Sequence, residues 1–519
     1  MSARRLTRRS LLAATAGAAV GGLVRPGGVL AALAGPPRPV LEGRWLGRLA
    51  PGLTTIELGR VADLVGVEWQ APAEAGIELR FRGARGRWSR WVSAGARGHG
   101  PEGPPVGGRL VGDPVWTGGA TAVQVRSTRA LSGVRLHLVD VSGGAGARRR
   151  AIAAGPFASA AALPRATPML DAGAGQPPII ARRAWAQGMA PPRVAPGYGA
   201  VRMAFVHHTE NPNGYTPGEV GAMLLAIYAF HRHVNGWNDI GYNFVVDLYG
   251  RIFEARAGGI DEPVVGAHAG GYNLVSTGVA VLGSLMSAPI SAAARNALQE
   301  LLAWKLSLHG LPTEGRVSVS VNPAGAVYSR YPAGARVSLP HIAGHRDGDS
   351  TDCPGNVLYS ELPAIRRSVR HLAGRTARAT LMPVGLTPGA QSAPSGQGPS
   401  SEGSSPGGTS ALMGAVEFLD GAPIAGAPVE IQLRDVSRKG ELVREQTLAQ
   451  VVTEANGAWS LPVAVSPGGG EGMWLRALCP GAPGVPAAVS DPLRLPGTVS
   501  ITPAGVPAPT PQAAPPPAP

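Results

Sequence analysis

His345 and Cys353 lie eight residues apart in GHRDGDSTDCPG, residues 344–355, a segment dense in Gly, Asp and Pro. A neutral imidazole and a thiolate are both good ligands for Zn2+, and a loop of this composition lets them converge on one ion. A third nitrogen ligand is available in His207, in the pair His207–His208 that ends the apolar run VRMAFV. Three protein ligands with a fourth position left to water make an open, catalytic zinc rather than a closed, structural one. Taken alone, His207 and His208 read equally as ordinary core or surface histidines. The only other cysteine is Cys479, so a Cys353–Cys479 disulfide is the competing use of the thiol wherever the surroundings are oxidising.

The elements that position these residues are readable from periodicity. AVRMAFVHHT reads as a buried strand that delivers His207 at its end. Thr216, Pro217 and Glu219 form a capping box with proline at the first helical position, and Val220, Met223, Leu224, Ile227 and Tyr228 follow on one helical face as far as about Gly236. YNFVVD and RIFEA flank the turn Leu248–Tyr249–Gly250 as a hairpin, and GVAVLG is another buried strand. A second helix from Ser291 presents Leu298, Leu301, Leu302 and Leu306, and a third runs from about Ser360 to Leu372 with Arg370 and His371 in its last turn. The expectation is a mixed β-sheet with flanking helices over residues 177–375.

At 519 residues the chain is too long for one ordinary core. Residues 40–142 read as a small β-sandwich module, with Ile77, Leu79 and Phe81, Val123 and Val125, and Val134, Leu136 and Leu138 alternating. Trp88 and Trp91 there are either a sugar platform or, the simpler reading, core aromatics. Residues 143–176 and 376–409 read as linkers and 410–502 as a second sandwich module, with a Pro-rich tail at 503–519. Thr7-Arg8-Arg9-Ser10-Leu11-Leu12, a weakly apolar run and Ala32-Leu33-Ala34 make residues 1–34 a twin-arginine export signal. That implies an extracellular or wall-associated protein with no membrane span once the signal is removed. The net charge of +14 is nearly all scattered Arg, since Lys305 and Lys439 are the only lysines. This excludes nucleic acid as the expected partner but leaves attraction to a polyanionic wall.

Four segments count together: HHT at 207–209, GWNDIGYNFVVDLYGRIFEAR at 236–256, GAHAGGYNLVSTGVAVLG at 266–283 and the 344–355 loop. In that order they resemble the zinc amidase family that includes peptidoglycan recognition proteins and phage lysozyme-type amidases. The resemblance covers about Pro178 to Leu372 and implies a central α/β zinc-amidase domain between two small all-β modules. It implies Zn2+ held by His207, His345 and Cys353, with Tyr242 and Thr351 in the catalytic positions. Thr351 stands where phage enzymes have Lys, as in the animal recognition proteins. The implied reaction is hydrolysis of the amide between N-acetylmuramic acid and L-alanine in peptidoglycan. Gly236, Trp237 and Arg256 match positions that accompany diaminopimelate-type stem peptides, and His231, His268 and Asn273 match positions lining the binding groove. Asp347 and Asp352 are either orienting carboxylates or solvated ones. The rival implications are a binding protein whose zinc site has lapsed, against which Cys353 stands, and a wall-tethering protein in which the flanking modules do the main work.

Overall fold

The structure is a computed structural model that describes residues 39–70, 76–83, 86–94, 108–141, 175–384, 410–437, 442–467, 473–494 and 499–503. The export signal at 1–34, nearly all of the 143–176 linker and the tail beyond Pro503 lie outside the described residues.

The central domain is built on a six-stranded sheet. Its order is Ile342–Gly344, Met203–His208, Ser276–Val281, Phe244–Val246, Ile252–Glu254 and Ile179–Ile180. All neighbouring pairs are parallel except Phe244–Val246 with Ile252–Glu254, the hairpin expected around Tyr249. Parallel strands are covered on both faces, so they are apolar throughout rather than alternating. Met203–His208 and Ser276–Val281 are indeed buried at every position.

One face of the sheet is covered by the helix Val220–His233. It enters through a short 3-10 turn, where the Thr216 backbone N–H donates to Glu219 Oε2 at 2.7 Å. The other face is covered by Ala292–Leu308 and Asn356–Ala373. Ser291 caps the first of these by accepting a hydrogen bond from Ala294 N at 3.0 Å. The third helix begins four residues earlier than its apolar stripe suggested. A further hairpin, Arg316–Ser320 with Arg336–Pro340, buries Val319, Val337 and Leu339 beside Phe205 and Tyr272.

The N-terminal module is one continuous seven-stranded sheet among the described residues, not two separate sheets. Its 19-residue strand Gly52–Gln70 pairs with Val115–Ser127 and with Leu131–Asp140, and it shifts register near Ala62. Such irregularities bend long strands, and here the sheet wraps a core of Val65, Val67, Trp69, Leu79, Val123 and Leu136. Trp88 and Trp91 are half-buried surface residues rather than core aromatics. Guanidinium groups stack on them: Arg80 lies 5.4 Å from Trp88 and 4.7 Å from Trp91, Arg82 lies 5.4 Å from Trp88, and Arg126 lies 4.5 Å from Trp91.

Among the described residues the C-terminal module consists of two five-stranded sheets around a core that includes Val416, Ile431, Trp459, Leu475 and Cys479. It starts earlier than the composition suggested. Ala377–Ala379 and Met382–Val384, inside the stretch read as a linker, pair antiparallel with Ser410–Phe418. Cys353 and Cys479 are both free and both buried, so no disulfide joins them.

Both modules are packed against the central domain. Leu64, Trp116, Val139 and Val141 share a core with the Val220–His233 helix. Gly66 lies so close to it that a Cβ there would meet the Phe230 ring at 2.2 Å. At the other junction Arg434 and Arg476 are buried against Asp261 and Glu262. Burial alone would raise the Asp261 carboxyl, but the Arg476 and Arg434 charges outweigh it and hold it below the usual range. Breaking a buried ion pair by removing one partner costs about 3–5 kcal/mol, because a charge is left uncompensated. Arg476→Ala is therefore expected to lower unfolding stability in urea by about that amount, whereas Arg375→Ala, whose Asp420 partner is exposed, should lower it far less. Equal effects of the two substitutions would refute a stabilising role for the buried network.

Candidate metal centre

Side chains alternate between the faces of a strand. Ala204 and Val206 enter the core beneath Ala292–Leu308, while Met203 and Phe205 face the hairpin and Tyr272. His207 follows this second set. His208 falls on the opposite side and is fully engaged: its Nδ1 accepts from Leu285 N at 3.2 Å, and its Nε2 lies 2.8 Å from Glu210 Oε1. Only His207 of the pair faces the cluster.

The neighbouring strand Ile342–Gly344 runs parallel to Met203–His208, with Gly344 opposite Val206. His345, the next residue, therefore lies beside His207, with ring centroids 4.4 Å apart. Cys353 closes the group from the following loop, where its N–H donates to Thr351 Oγ1 at 3.1 Å and Arg346 N donates to its carbonyl at 3.0 Å. One ligand atom each from His207, His345 and Cys353 lies within 4.8 Å of the others, and all three residues are buried.

The donor set fits zinc. Cys353 Sγ lies 3.7 Å from His207 Nδ1. Bonds of roughly 2.3 Å to sulfur and 2.0–2.1 Å to nitrogen at a tetrahedral ion would separate those atoms by about 3.6 Å. Burial pushes the Cys353 thiol well above its ordinary range, so a thiolate at this position requires a cation. The His208 N–H, donating to Sγ at 3.4 Å, favours the same ionised form.

Second contacts set which imidazole nitrogen faces inward. Asp349 Oδ2 lies 2.9 Å from His345 Nε2. A carboxylate acceptor fixes the proton on Nε2 and leaves the Nδ1 lone pair for a ligand. His207 Nε2 contacts His268 Nδ1 at 3.1 Å. His268 is itself fully buried and fits only because residues 266 and 278 are glycine, where a Cβ would come within 2.4 Å of its ring. Asp349 was not among the carboxylates singled out by sequence. Asp347 instead accepts from Gly344 N at 2.9 Å and from Tyr359 OH at 2.6 Å, and Asp352 is exposed.

The other predicted site residues divide into two groups. Tyr242 stands at the cluster, its ring centroid 5.5 Å from that of His207. Burial raises its hydroxyl well above the ordinary value, helped by the charges of Asp113, Cys353 and Glu210. His231, also buried, accepts from Gly241 N at 3.1 Å and packs between Tyr242 and Trp237, with centroids at 5.8 and 4.5 Å. Asn273 Oδ1 accepts from His268 N and Ala269 N at 2.8 and 3.0 Å, so it shapes the loop carrying His268.

Gly236, Trp237 and Arg256 form the second group. Gly236 turns the chain at φ 77°, Trp237 is buried against His231, and Arg256 donates to Ile240 O at 3.1 Å. Asp113 was not anticipated, because it belongs to the N-terminal module. The Trp116 N–H of the same segment donates to Asn211 Oδ1 at 2.6 Å, which brings that module beside the end of the His207 strand.

Residues 197–356 match the family described as N-acetylmuramoyl-L-alanine amidase. Peptidoglycan-recognition protein SC2 of Drosophila melanogaster is 30% identical over 159 residues, 31% of this chain and 71% of that protein. The chain belongs to this family of peptidoglycan-recognition proteins and amidases. The N-acetylmuramoyl-L-alanine amidase of Sus scrofa is 30% identical over 213 residues, 39% of this chain and 30% of that protein. Among solved structures, Drosophila PGRP-LB aligns at 24% identity and a TM-score of 0.28 over 36% of this chain and 92% of its own. Residues 49–162 match a second family, described as Rv3811 N-terminal galactose-binding domain-like. A likeness to a galactose-binding fold accords with the all-β character of the N-terminal module.

Partners that orient a ligating histidine are typically worth 10–100-fold in metal affinity. Asp349→Ala is expected to weaken zinc binding by about that factor in chelator competition, with Asp352→Ala within about twofold of wild type. Equal affinities for both variants would mean that Asp349 does not orient His345.

Proposed function

We propose that the chain is a zinc-dependent N-acetylmuramoyl-L-alanine amidase that cleaves diaminopimelate-type peptidoglycan outside the cytoplasm, after export by the twin-arginine route. The observation that carries this reading is the buried His207–His345–Cys353 cluster, whose donor types, spacing and outward hydrogen bonds suit catalytic zinc. Retention of Cys353 favours an enzyme over a sensor. The export assignment rests on the Thr7–Leu12 segment.

Zinc bound by His207, His345 and Cys353 would supply Lewis acidity for the lactyl amide carbonyl and an activated water. The protein's own groups do the rest. Asp349 and His268 hold the two imidazoles in a single tautomer and orientation, so the site does not reorganise during the reaction. Tyr242, kept protonated by its burial, is a fixed hydrogen-bond donor for negative charge that develops on the carbonyl oxygen. Thr351 holds the Cys353 backbone through its Oγ1, so its role here is to set the loop geometry. Arg256, with Gly236 and Trp237 shaping the chain before it, would pair with the carboxylate that distinguishes diaminopimelate from lysine. Burial lowers its guanidinium to about 9, so it remains cationic at neutral pH.

Zinc-loaded protein incubated with diaminopimelate-type wall should release stem peptides beginning at L-Ala. Cys353→Ala should abolish release, and Tyr242→Phe should reduce kcat by roughly 10²–10³-fold. Lysine-type wall should be cut more slowly. Tight wall binding without release by zinc-replete wild type would leave a sensor in place of the enzyme.

A further inference from the structure

A cavity of about 380 Å³ lies between the central domain and the C-terminal module. That volume is in the range of small-molecule sites. Its walls include Tyr198, Asn238 and Arg256 from the central domain and Trp474, Pro492 and Arg494 from the sandwich. None of the described residues lining it is acidic, and two carry guanidinium groups. Arg256, one member of the diaminopimelate-associated pattern, lines this cavity together with Asn238, the residue that follows Gly236–Trp237 in sequence.

The sandwich wall is fixed on four counts. Trp474 and Arg494 are register partners on adjacent strands, so their side chains project from the same face. The Trp474 ring packs on Tyr198 with centroids 4.1 Å apart. Arg202 pairs with Asp491, next to Pro492, at 2.5 Å, and the buried Arg434–Arg476 network holds the sandwich from below. The two cationic groups differ in setting: Arg256 is buried, whereas Arg494 is exposed. A cavity with an aromatic wall and two cationic groups suits a ligand carrying more than one carboxylate.

We propose that the C-terminal sandwich completes the stem-peptide site: Arg494 and Trp474, which line the same cavity as Arg256, bind a second, terminal carboxylate of the wall peptide. This rests on the amidase reading for the identity of the peptide. It assigns the sandwich a specificity role, selecting peptides whose terminus is free over those whose terminus is amidated or crosslinked.

The test uses the full zinc-loaded chain and soluble muropeptides of one sequence, with the terminal carboxylate either free or amidated. Arg494→Gln should raise KM for the free acid by roughly tenfold, the scale of one lost charge-assisted hydrogen bond, and leave KM for the amide within about twofold. Arg494→Lys, which keeps the charge, should recover most of the loss. Calorimetric binding of the free stem peptide to Cys353→Ala protein, with and without Arg494→Gln, reads the same contact without catalysis. Hydrolysis by wild type with no difference between the two peptides, or no effect of Arg494→Gln on either, overturns the subsite and leaves the amidase reading standing. Loss of peptide binding in Arg494→Gln, in a protein that never hydrolyses wall, supports the subsite and removes the amidase.

Discussion

A thiol with 3% of its surface exposed, packed against the end of a buried strand between two imidazoles, sets the terms for the central domain. Ionising Cys353 there is unfavourable unless a cation shares the space, and holding a cation requires several lone pairs to converge on it. The parallel pairing of Ile342–Gly344 with Met203–His208 meets that requirement by placing His345 beside His207. The remaining arrangements follow from it. His268 must be slotted in where only glycines leave room, Asp349 must turn back onto His345, and the loop after the short His345–Gly348 helix must return Cys353 to the same point. Tyr242 inherits the low-dielectric surroundings, which is why its hydroxyl keeps its proton.

Much of this was legible in residue order. Uniformly apolar or strongly periodic segments announced four of the six central strands and all three long helices, whereas the short strands Ile179–Ile180 and Ile342–Gly344 offered too few residues to show a pattern. Choosing His207 over His208 was not possible from alternation alone, since either residue could face a cleft; the decision depends on which side the Ala292–Leu308 helix occupies. Asp349 was passed over in favour of Asp347 and Asp352 for a similar reason. Three carboxylates in six residues look alike in sequence, and only the winding of a four-residue helix aims one at His345. The Arg316–Ser320 hairpin was missed although RVSVS and RVSLP alternate strictly, because each run is only five residues long and carries two apolar side chains.

Contacts between distant segments were the least legible. Nothing near Asp113 indicates that its charge reaches Tyr242 and Cys353, because that proximity comes from the packing of Leu64, Trp116, Val139 and Val141 on the Val220–His233 helix. Trp88 and Trp91 were readable as aromatic but not as partners of Arg80, Arg82 and Arg126, which come from other strands. The start of the C-terminal module was hidden by composition. A threonine- and proline-bearing segment looks like a linker until the strand it pairs with is in place.

That pairing changes what holds the molecule together. Ala377–Ala379 and Met382–Val384 precede residues 385–409, and Ser410–Phe418 follows them, yet the two flanks are hydrogen-bonded to each other. The sandwich is anchored by these ladders and by the buried Arg434 and Arg476 contacts, not by the covalent connection through 385–409. A proteolytic nick in that stretch would add two chain ends without separating the parts. The cleaved protein would run as two bands under denaturing conditions and as one particle under native ones.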